Sequence, residues 1–236
     1  MLRLVEPAPL YKAAIPRGDL CKRKGQSMFD LPSLMLFIAA SWVLILTPGP
    51  DTLYVLTRGI AQGKQAGVIS ALGVTLGIFV HTLAAAFGLA LVLQTSALAF
   101  LIVKYVGALY LLYLGIKTLK DRSSLTLPSD HKPRQLRVLF GQGVLSNVTN
   151  PKVALFFLAF LPQFVHPEHG HVPVQMIVLG LMFAFFGVIY LSVVGYSAGH
   201  LGAWIAQHPR ALKPLRWATG GIFLGLGLRL AFTERR

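Results

Sequence analysis

Two charged residues stand in stretches that are otherwise apolar, each just after a proline break: Asp51 follows Thr47-Pro48-Gly49-Pro50, and Lys152 follows Thr149-Asn150-Pro151 in the second half of the chain. A carboxylate inside an apolar span costs roughly 2.5 to 3.5 kcal/mol on insertion scales, which makes Asp51 a functional candidate by default. It can hold a proton or an ammonium group. Lys152, with the free N–H groups of a restarted helix, can hold a carboxylate. One negative and one positive group meeting at the membrane midplane would suit a zwitterion. Two plainer readings stand beside this one. Asp51 can serve as a helix-start residue that binds free backbone N–H groups, and the two charges can neutralise each other as a structural ion pair.

Neutral polar residues surround both breaks. Asn147, Asn150, Thr47, Thr52 and Thr149 can cap opened helix ends or hydrogen-bond a substrate. Pro48, Gly49 and Pro50 open the backbone itself, because proline removes a donor and clashes with the preceding turn. His81 lies one turn after Gly77 on the same helix face, where it can relay protons or bond to a neighbouring helix. The run His166-Pro167-Glu168-His169-Gly170-His171 has metal-ligand residue types but no fixed helical spacing, and reads as a solvated loop. No P-loop, H-E-x-x-H pair or nucleophile elbow is present, so the sequence offers no motif for ATP-driven pumping or common hydrolysis.

These residues need elements to position them. With 55% hydrophobic and 13% charged residues in 236, the chain reads as an all-α integral membrane protein. Apolar windows fall at about Ser33 to Thr57, Ala66 to Leu93, Ala99 to Ile116, Val138 to Val165, Val174 to Ala198 and Leu215 to Phe232. The polar stretch 121–135 divides three spans from three, giving halves of about 28–120 and 136–236. An odd number of spans per half inverts the second, so the expected architecture is six transmembrane helices as two inverted three-helix repeats, broken at Pro48-Pro50 and at Pro151. In lipid an opened backbone survives only when buried in protein or lining a cavity, so the matched breaks mark a midplane site. Gly63, Gly67, Gly73 and Gly77 in the second span, and Gly220, Gly221, Gly225 and Gly227 in the last, read as close helix packing. Such faces permit a homodimer without requiring one.

The formal charge of +14 raises the question of nucleic acid. Its placement answers it: Arg58 and Lys64, then Lys117 to Arg137, then Arg210, Lys213 and Arg216 occupy the odd-numbered connections, while the even ones carry almost none. The positive-inside rule puts those connections in the cytoplasm and both termini outside it. Membrane topology thus accounts for the charge, and no nucleic-acid partner is expected. The tail before Met28 is itself basic, has no signal-peptide core, and reads as an upstream extension or disordered segment. The sole cysteine, Cys21, lies in it, so no thiolate chemistry is expected in the membrane domain.

At these positions the chain resembles the lysine exporter superfamily, and within it the RhtB-like exporters of homoserine, threonine and related compounds. The resemblance runs from Met28 to about Phe232. It rests on Leu46-Thr47-Pro48-Gly49-Pro50-Asp51, the glycine ladder of the second span, Lys104 with Gly107-Ala108-Leu109-Tyr110-Leu111 and Leu114-Gly115, the segment Asn147 to Phe164, and Gly225-Leu226-Gly227-Leu228-Arg229-Leu230. It implies a multi-pass secondary exporter of the bacterial inner membrane that moves amino acids or their derivatives outward in exchange for protons, without cofactor, bound metal or enzymatic activity. One proton entering down 100 mV supplies about 2.3 kcal/mol, enough for roughly a fifty-fold gradient of a neutral substrate. The rival readings are a divalent-metal exporter of the same superfamily, using Asp51 and the loop histidines, and a membrane-embedded enzyme. Residues 1 to 27 fall outside the resemblance. Mass spectrometry of the native protein is therefore expected to find an N-terminus at Met28, and a peptide spanning Leu2 to Lys22 would refute that expectation.

Overall fold

The computed structural model describes residues 28–89, 97–120, 134–207 and 212–232, and all of its regular structure there is helical. The N-terminal extension 1–27, with Cys21, and most of the basic stretch 121–135 lie outside the described residues, as does the side chain of Lys104.

Helix α1 (Leu31–Leu46) starts where Asp30 accepts the Ser33 N–H at 3.1 Å, with a proline in its first turn. It stops because Thr47 precedes Pro48 and takes an extended conformation (φ −66°, ψ 117°). Helix α2 (Pro50–Gln62) restarts at once, since proline at the first helical position lacks only a donor that would be unused there. The two axes are bent by 50°. Gly63, at φ 87°, then turns the chain directly into α3 (Lys64–Leu83), which widens into a π-helical turn at Ala84–Leu89. A side chain at that φ would be strained.

After α4 (Ala97–Lys120), α5 (Leu136–Val148) ends ahead of the second break, and α6 (Pro151–Leu155) restarts beyond it at a bend of 46°. It continues as a π-helical turn (Phe156–Phe160) and a 3-10 turn (Leu161–Phe164). Pro162 accounts for the change of winding, because it cannot donate to the preceding turn. Helix α7 (Val172–Tyr196) is followed by α8 (Ala198–Gln207) and α9 (Leu212–Phe232). The sequence pattern places a loop where α8 forms. That helix is short, packs mainly on α2 and α7, and adds no apolar run of spanning length.

Among the described residues, Lys64–Gly88 and Val172–Tyr196 are each long and apolar enough to cross a membrane, and each bent pair reaches the same standard as one span. Large apolar side chains point outward, among them Leu109 (67% exposed) and Phe185 (60%), as a lipid-facing surface requires. Inside, α3 packs against α5 and α7, while α4 packs along α9. The glycine ladder makes the first of these contacts possible. Gly67 and Gly195 meet backbone to backbone, a Cβ at Gly143 would lie 2.6 Å from the Ser70 carbonyl, and one at Gly73 would overlap the Phe140 carbonyl. Beyond the breaks, Phe37 of α1 packs edge-on against Phe164 at 5.3 Å, and Phe156 stacks on Phe183 of α7 at 4.7 Å.

Gly73→Ala is expected to lower the melting midpoint in detergent by an amount equivalent to about 1 to 3 kcal/mol. Gly141→Ala, where a Cβ meets nothing within 4 Å, should leave it unchanged or raise it. Equal midpoints for the two variants would contradict this packing.

Candidate functional site

The charged residue after each proline break reaches the other break: Lys152 meets backbone carbonyls at the end of α1, and Asp51 meets side chains around the second break. At the end of α1, Lys152 donates from Nζ to the Leu44 carbonyl at 2.7 Å and to the Thr47 carbonyl at 2.7 Å. These carbonyls belong to the electronegative end of a helix, where a cation is favoured. At the end of α5, Asn147 and Asn150 each donate from Nδ2 to Asp51 Oδ2 at 2.8 Å, and Ser146 Oγ donates to Oδ1 at 2.9 Å. Asn150 serves twice, because its Oδ1 also accepts the Lys152 backbone N–H at 3.0 Å and so caps α6. Asp51, Asn147 and Asn150 are all buried, at 7%, 1% and 3% exposure.

This geometry decides between the readings that the residue types leave open. Asp51 stands in the first turn of α2, where its charge suits the positive helix end, but the N-cap position is Gly49. Gly49 precedes α2 and makes no side-chain cap bond, while the Asp51 carboxylate turns to Ser146 and Asn147 of α5 and to Asn150, the cap of α6. Nor do Asp51 and Lys152 form an ion pair, since the ammonium is drawn to two carbonyls instead. His81 stands behind the site. Its Nε2 lies 3.0 Å from the Asn147 carbonyl and its ring stacks on Phe157. Gly77, one turn earlier, lets Asn147 press against α3, since a Cβ there would lie 2.6 Å from that of Asn147. His81 thus makes the interhelical bond and positions Asn147. Asn147 Oδ1 is left buried without a partner, because the amide presents its donor to the carboxylate.

Thr47 folds its hydroxyl back to the Val43 carbonyl at 2.7 Å, and its contribution to the site is its own carbonyl. Thr149 bonds to the Leu145 carbonyl on the exposed side. Pro48 and Pro50 shape the break, and Gly49 sits against the Lys152 side chain.

Gly49, Asp51, Thr52, Asn147, Asn150 and Lys152 form the polar end of a small cavity of about 40 Å³ that is partly open to its surroundings. Its other walls come from Leu44 and Ile45 of α1, Val74 and Ile78 of α3, and Phe183, Gly187, Tyr190 and Leu191 of α7. Sequence reasoning missed Ser146 and the whole α7 wall. Ser146 was signalled by its place beside Asn147. The α7 residues sit in an unbroken apolar helix with no local mark of function. To one side, Tyr54 donates its hydroxyl to the Leu139 carbonyl at 2.7 Å and Gln62 donates to the Arg134 carbonyl at 2.9 Å, fastening α2 to the start of α5.

The loop histidines are remote from this cavity's lining. His166 Nδ1 lies 3.0 Å from Glu168 and its Nε2 lies 3.2 Å from Asp30. The Ser33 N–H holds the Asp30 carboxyl below its ordinary range, and the backbone N–H of Glu168 does the same for that residue, with His166 adding to both. Among the described residues no group of three His, Cys, Asp or Glu side chains is placed to hold a metal ion.

The family model of the LysE type translocators matches residues 42–234, from within α1 past the end of α9. The chain belongs to this family. It is 30% identical over 202 residues to a membrane protein of Vibrio cholerae, covering 86% of this chain and 98% of the relative. It is 32% identical to a membrane protein of Pseudomonas aeruginosa, over 80% of this chain and 89% of that one. With the membrane protein YrhP of Bacillus subtilis it shares 29% identity over 84% and 97%. No solved structure matches it. A LysE type translocator is a membrane transporter, and in this member the cavity between the breaks joins polar groups of both charges to an apolar wall.

Lys152→Met removes two charge-assisted hydrogen bonds, each worth about 1.5 to 3 kcal/mol. Scanning fluorimetry in detergent should show a clear fall in its melting midpoint, whereas Thr149→Val, which alters an exposed hydroxyl, should melt close to the parent. Unchanged melting of Lys152→Met would mean that the α1 carbonyls do not depend on this ammonium.

Proposed function

We propose that this translocator is a secondary exporter of amino acids or closely related zwitterions, working by alternating access in the bacterial inner membrane and driven by inward proton movement. It transports its substrate without altering it. The observation that carries this reading is the unused hydrogen-bonding capacity of the cavity. A carboxylate offers about four acceptor sites, and Asp51 uses three, on Ser146, Asn147 and Asn150. An ammonium has three donors, and Lys152 spends two, on Leu44 and Thr47. One acceptor of negative charge and one donor of positive charge remain beside the same cavity. An α-amino acid requires one of each.

Protonation gives the coupling step in this reading. A neutral Asp51 carboxyl accepts fewer hydrogen bonds and no longer attracts an ammonium, so a proton and the substrate amine compete for one group. The same change loosens Asn147 and Asn150, which join the end of α5 to the start of α2. Two halves, at about 28–120 and 136–236, related as inverted three-helix units would then rock around the fixed pair of breaks. Exchange against protons moving inward down the membrane potential gives export its direction in this reading.

Asp51→Asn keeps the side-chain size but removes both the charge and the exchangeable proton. In proteoliposomes, the variant is expected to lose proton-gradient-driven efflux of labelled amino acids while still purifying as a monodisperse protein. Full retained activity would remove Asp51 from the mechanism.

A further inference from the structure

The wall opposite the charges assigns a substrate side-chain class to this cavity. Val74 and Ile78 of α3 line it together with Phe183, Gly187 and Leu191 of α7, and none of the five has a polar side-chain atom. Thr52 and Tyr190 also line the cavity, and the five residues between α3 and α7 leave them as its nearest neutral polar side chains there. A substrate hydroxyl or amide reaching between α3 and α7 would therefore leave water without finding a partner among these five side chains. That penalty falls on polar side chains and spares apolar ones.

We infer that this wall is a side-chain subsite for zwitterions with an apolar side chain, and that Gly187 sets its depth. The inference rests on the amino-acid export reading above and adds a preference which that reading does not contain. Gly187 is the one position in the wall that contributes no side chain. A Cβ there would stand 3.2 Å from Ile78 Cδ1 and nothing else within 4 Å, so alanine fits with a small adjustment of Ile78 and fills the bottom of the subsite. Ile78→Ala has the opposite effect, removing the side chain that faces that gap.

The test uses side chains of matched shape. Efflux from proteoliposomes of the full-length protein is measured for valine against threonine and for leucine against asparagine, under one imposed proton gradient. The parent protein should favour valine and leucine by about tenfold or more, the scale at which a hydrophobic pocket discriminates against an added polar group. Gly187→Ala should lower leucine efflux relative to alanine efflux several-fold, and Ile78→Ala should raise phenylalanine relative to leucine. Threonine and asparagine moving as fast as their apolar counterparts would overturn the inference alone, leaving amino-acid export in place. An unchanged leucine-to-alanine ratio in a well-folded Gly187→Ala protein would remove Gly187 from the subsite. If no zwitterion moves in the parent protein, the export reading fails and the side-chain preference falls with it.

Discussion

The crossed bonding of the two breaks is the constraint on which the rest depends. Opening a helix inside an apolar protein exposes carbonyl and N–H groups that lipid cannot satisfy, at a cost of several kcal/mol for each group left alone. Here the ammonium after the second break closes the end of α1, and the carboxylate after the first break gathers the side chains at the end of α5. The arrangement also fixes both charges without letting them cancel, so a polar cavity persists between them.

Several features of the bundle follow from bringing these breaks together. The ends of α1 and α5 must approach a common point, which requires α3 to lie close to α5. Glycine supplies that closeness at Gly73, Gly77 and Gly143, where side chains would collide with backbone or with Asn147 itself. His81 then secures Asn147 from behind through its carbonyl. The aromatic cluster of Phe37, Phe156, Phe164 and Phe183 fills the space beyond the bends, where α1, α6 and α7 meet. On the side of α2, fixed bonds from Tyr54 and Gln62 tie its length to α5.

The polar groups of the arrangement are nearly, but not fully, satisfied. A fully paired network would be inert to a small solute, and an empty one would not fold in lipid. The unpartnered oxygen of Asn147 and the spare capacity of Asp51 and Lys152 leave the polar end of the cavity incompletely satisfied. The apolar wall contributed by α3 and α7 is the part most free to vary in shape without disturbing the clamp.

The sequence by itself determined the helical class, the membrane setting, the two breaks and the residues around them. These signals are local: proline forbids a continuous helix at a definite position, a charge in an apolar run has few tolerable explanations, and hydropathy needs no partner to be read. Pro48, Pro50, Asp51, Asn147, Asn150, Pro151 and Lys152 were legible on those grounds. Tertiary structure alone decided what the charged groups bond to. Asp51 could be read as a ligand group, a helix-start residue or half of an ion pair until Ser146 and Asn147 of α5 and Asn150 at the start of α6 arrived beside it, and Lys152 was turned from Asp51 to the carbonyls of α1. It also decided that Phe183, Gly187 and Tyr190 of α7 face the cavity, since a uniformly apolar helix carries no phase that marks one face for lipid and another for a site. Local chemistry can show where a helix must break, but which distant groups repair the break depends on how the helices cross.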